Sequence, residues 1–146
     1  MTLKIPLSVL VVIHTRELEV LLLERTARPG FWQSVTGSLD RVDEPLEAAA
    51  ARELREETGI EAAAAALRRW PLAYTFEIYP EWRQRFVPGT IYNTEQVFSL
   101  ELPARVQASL AATEHTASLW LPWREAAAKC FSWSNRDAIL MLAARA

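Results

Sequence analysis

Apolar residues follow two rhythms along this chain. Ile5–His14 is an almost unbroken run of Val, Leu and Ile, the pattern of a central strand covered on both faces. Glu19–Arg25 repeats it as a hairpin partner, with Thr15–Leu18 as the turn, and Phe31–Thr36 reads as a short strand feeding a loop at Gly37. The period then changes. Leu46, Ala50 and Leu54 recur every four residues and mark the sheet-facing row of a helix that begins near Pro45. Proline is tolerated in a first turn, Asp43 or Glu44 precedes it as cap or first-turn acid, and Gly59 stands where a left-handed stop is expected.

The second half is more broken. Ala62–Arg69 fits either a short helix or irregular chain. Trp70–Tyr79 and Thr94–Leu102 read as strands. Between them Pro80–Asn93, with a Pro88-Gly89 turn signal, reads as a functional loop or a ragged hairpin. Ser118–Leu121 predicts a last short strand and Pro122–Lys129 a short helix. Ser134-Asn135-Arg136-Asp137 resembles a capping box opening a final helix to about Arg145. Strands around one long helix, with a terminal helix, predict an α/β (α+β) sandwich with a mixed sheet, in one domain spanning 1–146.

Bulk properties narrow the partners. The 146 residues suffice for one domain with a core, and 51% hydrophobic with 23% charged residues is ordinary globular composition. A net charge of −2 provides no broad basic field, so no long nucleic acid is expected, and an anionic ligand would need local arginines and a metal ion. Cys130 is the single cysteine, so an intrachain disulfide is impossible and a reducing cytoplasm fits. The run Ile5–Ile13 is too short to span a bilayer and lacks signal-peptide flanks, so no membrane association is expected. Oligomeric state is not encoded in any pattern we recognise.

The helix after Gly37 carries the candidate chemistry. At about 100° per residue, Glu53, Glu56 and Glu57 fall within an arc of about 100°. Three carboxylates so placed repel one another unless a cation sits among them, and hard oxygen ligands suit Mg²⁺ or Mn²⁺. A helix of Ala, Glu, Leu and Arg is by itself an ordinary helix with a solvated face. The ordered series Gly37, Glu44, Arg52-Glu53-Leu54-Arg55-Glu56-Glu57-Thr58-Gly59-Ile60 is what sets this one apart. It resembles the box of the Nudix hydrolases. Six residues separate Gly37 from Glu44, one more than in the family's pattern. Asp43 keeps the spacing from the glycine and Glu44 the spacing to Arg52. The stiff helical register favours Glu44, with the extra residue bulging in the loop.

The resemblance implies an α/β/α Nudix fold and metal-dependent hydrolysis of a phosphoanhydride, with Mg²⁺ as cofactor and Mn²⁺ as an alternative. By the same resemblance Glu53, Glu56 and Glu57 supply the metal site, with Glu53 and Glu57 foremost. Arg52 holds Glu56 by an ion pair, and Gly37 lets the backbone approach closely. Glu114 is a fourth acid, as ligand or base. The catalytic set is then Glu53, Glu57, Glu114 and Arg52. His115 is either a substrate contact or an exposed histidine without a role, and His14 is a strand-end residue.

Four outer segments, Phe31–Ser38, Phe76–Tyr79, Thr113–His115 and Ser132–Arg136, resemble the branch of the family that acts on 7,8-dihydroneopterin triphosphate. For that small-molecule triphosphate the implied reaction is release of pyrophosphate, leaving the monophosphate, a step towards folate. Implied substrate contacts are Lys4, Arg25, Thr36, Phe76, Glu77, Ile78, Tyr79 and Ser132. Phe76, Tyr79, Trp82 and Trp32 are candidates to stack on a flat pterin, and Glu77 or backbone beside it to read its amide and amino edge. Lys4, Arg25, Arg83 and Arg85 are candidates to hold the triphosphate. Plainer readings stand beside these: Phe76 and Ile78 as core positions, Trp133 as an anchor for the last helix, and Arg83 and Arg85 as a solvated face. Three other functions compete. One is pyrophosphohydrolysis of dATP or an oxidised purine nucleotide. The second is removal of pyrophosphate from RNA 5′ ends, which the mild acidity disfavours. The third is a non-catalytic nucleotide-binding domain, disfavoured because all three box glutamates are present.

Overall fold

β1 (Leu7–Thr15) is the spine of the computed structural model, which describes residues 2–145. Along one edge it pairs in parallel with β6 (Tyr92–Leu102), from Leu7↔Thr94 to Thr15↔Leu102. Two strands share its other edge. β4 (Val35–Ser38) pairs antiparallel with its first half, and β2 (Glu19–Arg25) meets its end at His14↔Val20. β3 (Trp32–Gln33) and β7 (His115–Pro122) flank β2, while β5 (Arg68–Glu77) flanks β6. The result is a mixed seven-stranded sheet.

The alternation of side chains along β1 sorts the core into two layers. Val9, Val11 and Ile13 face α1 (Leu46–Thr58), meeting Ala49, Ala50 and Leu54. Leu10 and Val12 face α2 (Trp123–Lys129) and α3 (Trp133–Arg145), meeting Ala126, Ala127, Ala138, Ile139 and Leu142. Helices on both faces leave β1 no solvated side, which explains its unbroken apolar run. Each fully buried Leu, Val or Ile contributes about 1.5–3 kcal/mol by leaving water. The three-layer α/β/α sandwich agrees with the expected class.

Several local expectations change. Gly37 lies inside β4, opposite Val9, and not in a loop. α1 has no side-chain cap at its start: Pro45 occupies the cap position, and the Glu44 carboxylate accepts instead from the Asp40 N–H at 2.8 Å. The stop is as expected, with Gly59 at φ 75° and its N–H donating to the Arg55 carbonyl. Ala62–Arg69 resolves into a single 3₁₀ turn, Ala64–Ala66, before β5 begins. β5 and β6 form a hairpin whose long connection holds a 3₁₀ helix, Pro80–Arg85, and a turn at Gly89 with φ 93°. β7 begins at His115, earlier than its apolar pattern shows. α3 begins at Trp133, with Ser132 Oγ accepting from the Asn135 N–H at 3.4 Å. Ser134 is therefore free of capping and turns inward. No helix among the described residues is long and apolar enough to cross a membrane.

Candidate active site

The last two turns of α1 press their acids against β4. Glu53 and Glu57 lie within hydrogen-bonding reach of each other. Burial raises both carboxyls above their ordinary range, Glu57 by far the more, and for Glu57 the neighbouring Glu53 adds to it. Glu57 is 1% exposed, and its Oε1 has no hydrogen-bond partner. Such an orphaned anionic oxygen is costly unless a proton or cation meets it. The chain entering β7 brings a third acid from far along the sequence: ligand atoms of Glu57, Glu114 and His115 all lie within 4.8 Å of one another. One buried carboxylate with an unsatisfied oxygen, a partly buried second and an exposed third make a hard donor set that fits a divalent cation. Glu56 does not join them. It points outward, half exposed, 3.3 Å from Arg52 Nη1.

Arg52 does more than the single ion pair expected. Its Nε and Nη2 grip both oxygens of Glu44, at 3.0 and 3.1 Å, and its Nη1 reaches Glu53 Oε1 at 2.8 Å. Nη2 also donates to the Ser38 carbonyl. The guanidinium thereby ties α1, the turn and β4 together, and it holds the Glu44 carboxyl below the usual range. Asp43 is 84% exposed and pairs with Arg41, so Glu44 keeps the helical register and the turn 40–43 absorbs the extra residue. Gly37 has a steric reason: a Cβ there would overlap the Glu53 carboxylate.

A second cavity opens from this acidic chamber on the α2/α3 side of the sheet. Both are bordered by Lys4, Arg25, Arg85, Thr36 and Gly37. Burial lowers the pKa of Lys4 and Arg25, and the proximity of Arg85 lowers both further. Three crowded cations at the junction favour an anionic ligand there. The floor of the inner cavity follows from strand registry. Ser8 lies opposite Glu95, Leu10 opposite Thr36, and Phe76 opposite Asn93, so these side chains share one face. Aromatic walls come from the β5–β6 connection and from the start of α3. Arg25 sits over the Trp82 ring at 4.9 Å, and Trp82 packs against Tyr79 with centroids 5.0 Å apart.

The eight expected substrate residues, Lys4, Arg25, Thr36, Phe76, Glu77, Ile78, Tyr79 and Ser132, all border this cavity. Ile78 is buried and Phe76 half buried, as core positions would be, and both also border the cavity. Five residues depart from expectation. The Glu77 carboxylate pairs with Arg83 at 3.2 Å on the exposed side, and Arg83 also caps the Ile78 carbonyl, so neither aims at a ligand. Trp32 lies outside the cavity beneath Lys129. Trp133 packs edge-on to Tyr74, as an anchor would, but it is 53% exposed and also borders the cavity. His115 is 3% exposed, not exposed as read; burial pushes its pKa down to about 4, and Nε2 meets Gln33 Nε2 at 3.2 Å.

Sequence reading missed Asn93 and Glu95. Both face inward from β6, on a face whose positions 93, 95, 97, 99 and 101 are Asn, Glu, Val, Ser and Glu; that series reads as a solvated face, so the strand pattern carries no signal for them. Burial pushes the Glu95 carboxyl up to about 7, while Ser134 Oγ donates to Oε1 at 3.1 Å and Thr36 Oγ1 to Oε2 at 3.4 Å.

Comparison with known proteins completes the picture. The NUDIX domain family matches residues 4–142. The chain is 45% identical over 139 residues to dihydroneopterin triphosphate diphosphatase of Escherichia coli (strain K12), covering 93% of this chain and 91% of that protein. It is 35% identical over 135 residues to the enzyme of the same name from Haemophilus influenzae, covering 90% and 84%. The solved structure of the E. coli dihydroneopterin triphosphate pyrophosphohydrolase superposes with a TM-score of 0.92 at 41% identity, covering 100% of both chains.

Proposed function

The chain belongs to the Nudix family, and from that premise we infer that it hydrolyses 7,8-dihydroneopterin triphosphate to the monophosphate and pyrophosphate. The observation that carries this reading is the continuity of the two cavities. An acidic chamber opens through a collar of Lys4, Arg25 and Arg85 into an aromatic cavity. A ligand with a flat heterocycle at one end and a chain of phosphates at the other matches that sequence of environments.

Glu53, Glu57 and Glu114 are the residues to hold a divalent ion, Mg²⁺ or alternatively Mn²⁺. When bound, it supplies charge neutralisation at the phosphoanhydride and a more acidic water. The protein's own groups do the rest. Lys4, Arg25 and Arg85 draw in the phosphates. Tyr79, Trp82 and Phe76 hold the ring by stacking, and so fix the distance between heterocycle and scissile bond. Arg52 keeps one Glu53 oxygen engaged and fixes the carboxylate's orientation. A carboxylate of the chamber accepts the proton of the attacking water. The single cysteine, Cys130, is buried, which suits work in a reducing cytoplasm.

A panel with Mg²⁺ tests the reading. It comprises 7,8-dihydroneopterin triphosphate, dATP, an oxidised purine triphosphate and a 5′-triphosphorylated RNA, scored separately for pyrophosphate and orthophosphate. The pterin triphosphate is expected to give the highest kcat/KM with pyrophosphate as product. A tenfold advantage for dATP would overturn the substrate assignment.

A further inference from the structure

Glu95 poses a chemical question that the hydrolytic step leaves unanswered. It is a carboxylate 6% exposed, on the floor of the aromatic cavity, with no ion-pair partner among the described residues. A carboxylate offers about four acceptor sites. Ser134 takes one on Oε1 and Thr36 one on Oε2, leaving one on each oxygen beside the cavity. Asn93, two residues earlier on the same face of β6, adds another acceptor. Its Nδ2 donates to Ser8 Oγ, and its buried Oδ1 has no partner. The heterocycle end of the cavity is therefore short of donors. A planar ring with two parallel N–H groups supplies what is missing. In a pterin these are ring N3–H and the exocyclic 2-amino group of its 2-amino-4-oxo ring.

We propose that Glu95, assisted by Asn93 Oδ1, is the specificity-determining residue that binds the N3–H/2-amino edge of the pterin. The inference rests on the pterin reading given above. It moves the edge-reading role from Glu77, whose carboxylate faces Arg83, to a residue on the cavity floor. Ser134 and Thr36 act as positioning residues, because their hydroxyls fix the plane of the Glu95 carboxylate. The geometry also explains why α3 starts where it does: capping by Ser132 leaves the Ser134 hydroxyl to turn inward.

The test compares a substrate that carries the edge with one that lacks a ring. In Glu95→Gln an amide N–H replaces one acceptor and opposes a ligand donor. The ratio of kcat/KM on 7,8-dihydroneopterin triphosphate to kcat/KM on inorganic tripolyphosphate should fall at least tenfold, mainly through KM. A loss of that size is what one unpaired donor–acceptor contact in a buried site brings. Neopterin, which lacks phosphates, serves as the second probe, with binding followed by its fluorescence in the presence of chelator. Its affinity should fall by a similar factor in Glu95→Gln. Asn93→Leu, which removes the neighbouring acceptor, is a second variant should the first fail to fold, and it should lower the same ratio. An unchanged ratio, or equal losses on both substrates, would overturn the role of Glu95. A wild-type enzyme with no preference for the pterin triphosphate over tripolyphosphate would instead overturn the substrate reading, and this inference with it.

Discussion

Glu57 carries a charge that the folded chain alone does not satisfy. Burial and the neighbouring Glu53 both favour its protonated form, and a cation reverses that preference. Glu57→Gln should therefore lower kcat by at least ~100-fold, because charge used in the transition state is gone. Its thermal midpoint in chelator should not fall, since a neutral amide suits the buried site. Near-normal turnover would remove Glu57 from the metal site. Glu95 gives a prediction about stability. Its carboxyl titrates at about 7 in the fold against an ordinary value of 4.5. Between those values the native state holds a proton that the unfolded chain has released, so stability falls as pH rises through this window. The loss amounts to roughly 3 kcal/mol by pH 8. Because part of the loss has already occurred by pH 5, urea unfolding at pH 5 and pH 8 should show wild type losing about 2 to 2.5 kcal/mol relative to Glu95→Gln, and parallel behaviour of the two proteins would contradict it. At this scale the cluster of charged side chains was legible, because Glu53, Glu57 and Arg52 are fixed by helical spacing. Glu95 and Asn93 were not, because their partners Ser134, Thr36 and Ser8 come from three other elements.

α1 and β4 form a unit in which spacing matters more than propensity. The helix was legible from its Leu46, Ala50, Leu54 row and its Gly59 stop. Its entry was not, since Glu44 is used by Arg52 and Asp40 rather than by the helix end. Gly37 read as a loop residue, yet the strand needs it for clearance. Gly37→Ala should push the Glu53 side chain aside and raise the Mg²⁺ concentration for half-maximal activity about tenfold or more. An unchanged metal requirement would mean that Glu53 does not hold the ion. The β5–β6 hairpin shows the opposite case. Its strands alternate visibly, but the Pro80–Arg85 turn that carries Trp82 to Arg25 is set by tertiary packing and leaves no periodic trace.

For the whole molecule, the buried, unsatisfied Glu57 carboxylate predicts that a bound divalent ion stabilises the fold. Titration with Mg²⁺ should raise the thermal midpoint saturably, with a gain of about 2.7 kcal/mol at a hundred times the dissociation constant, and chelator should reverse it. Glu57→Gln should abolish the shift, and a wild-type midpoint insensitive to Mg²⁺ would count against the acidic chamber as the binding site. The sandwich architecture was legible because β1 and β2 are apolar throughout and α1 is amphipathic. The division of strand 31–38 between β2 and β1 was not, since it depends on which edge each half finds free.

The alternation along β1 has an evolutionary consequence. Residues facing α1 support the acidic chamber, while Ser8 and Leu10 face the cavity closed by α3. Inheritance can therefore revise one side of a single strand without disturbing the other. A lineage can trade the heterocycle it accepts by changing the last helix and the β5–β6 connection, and still transmit an intact hydrolytic apparatus to its descendants.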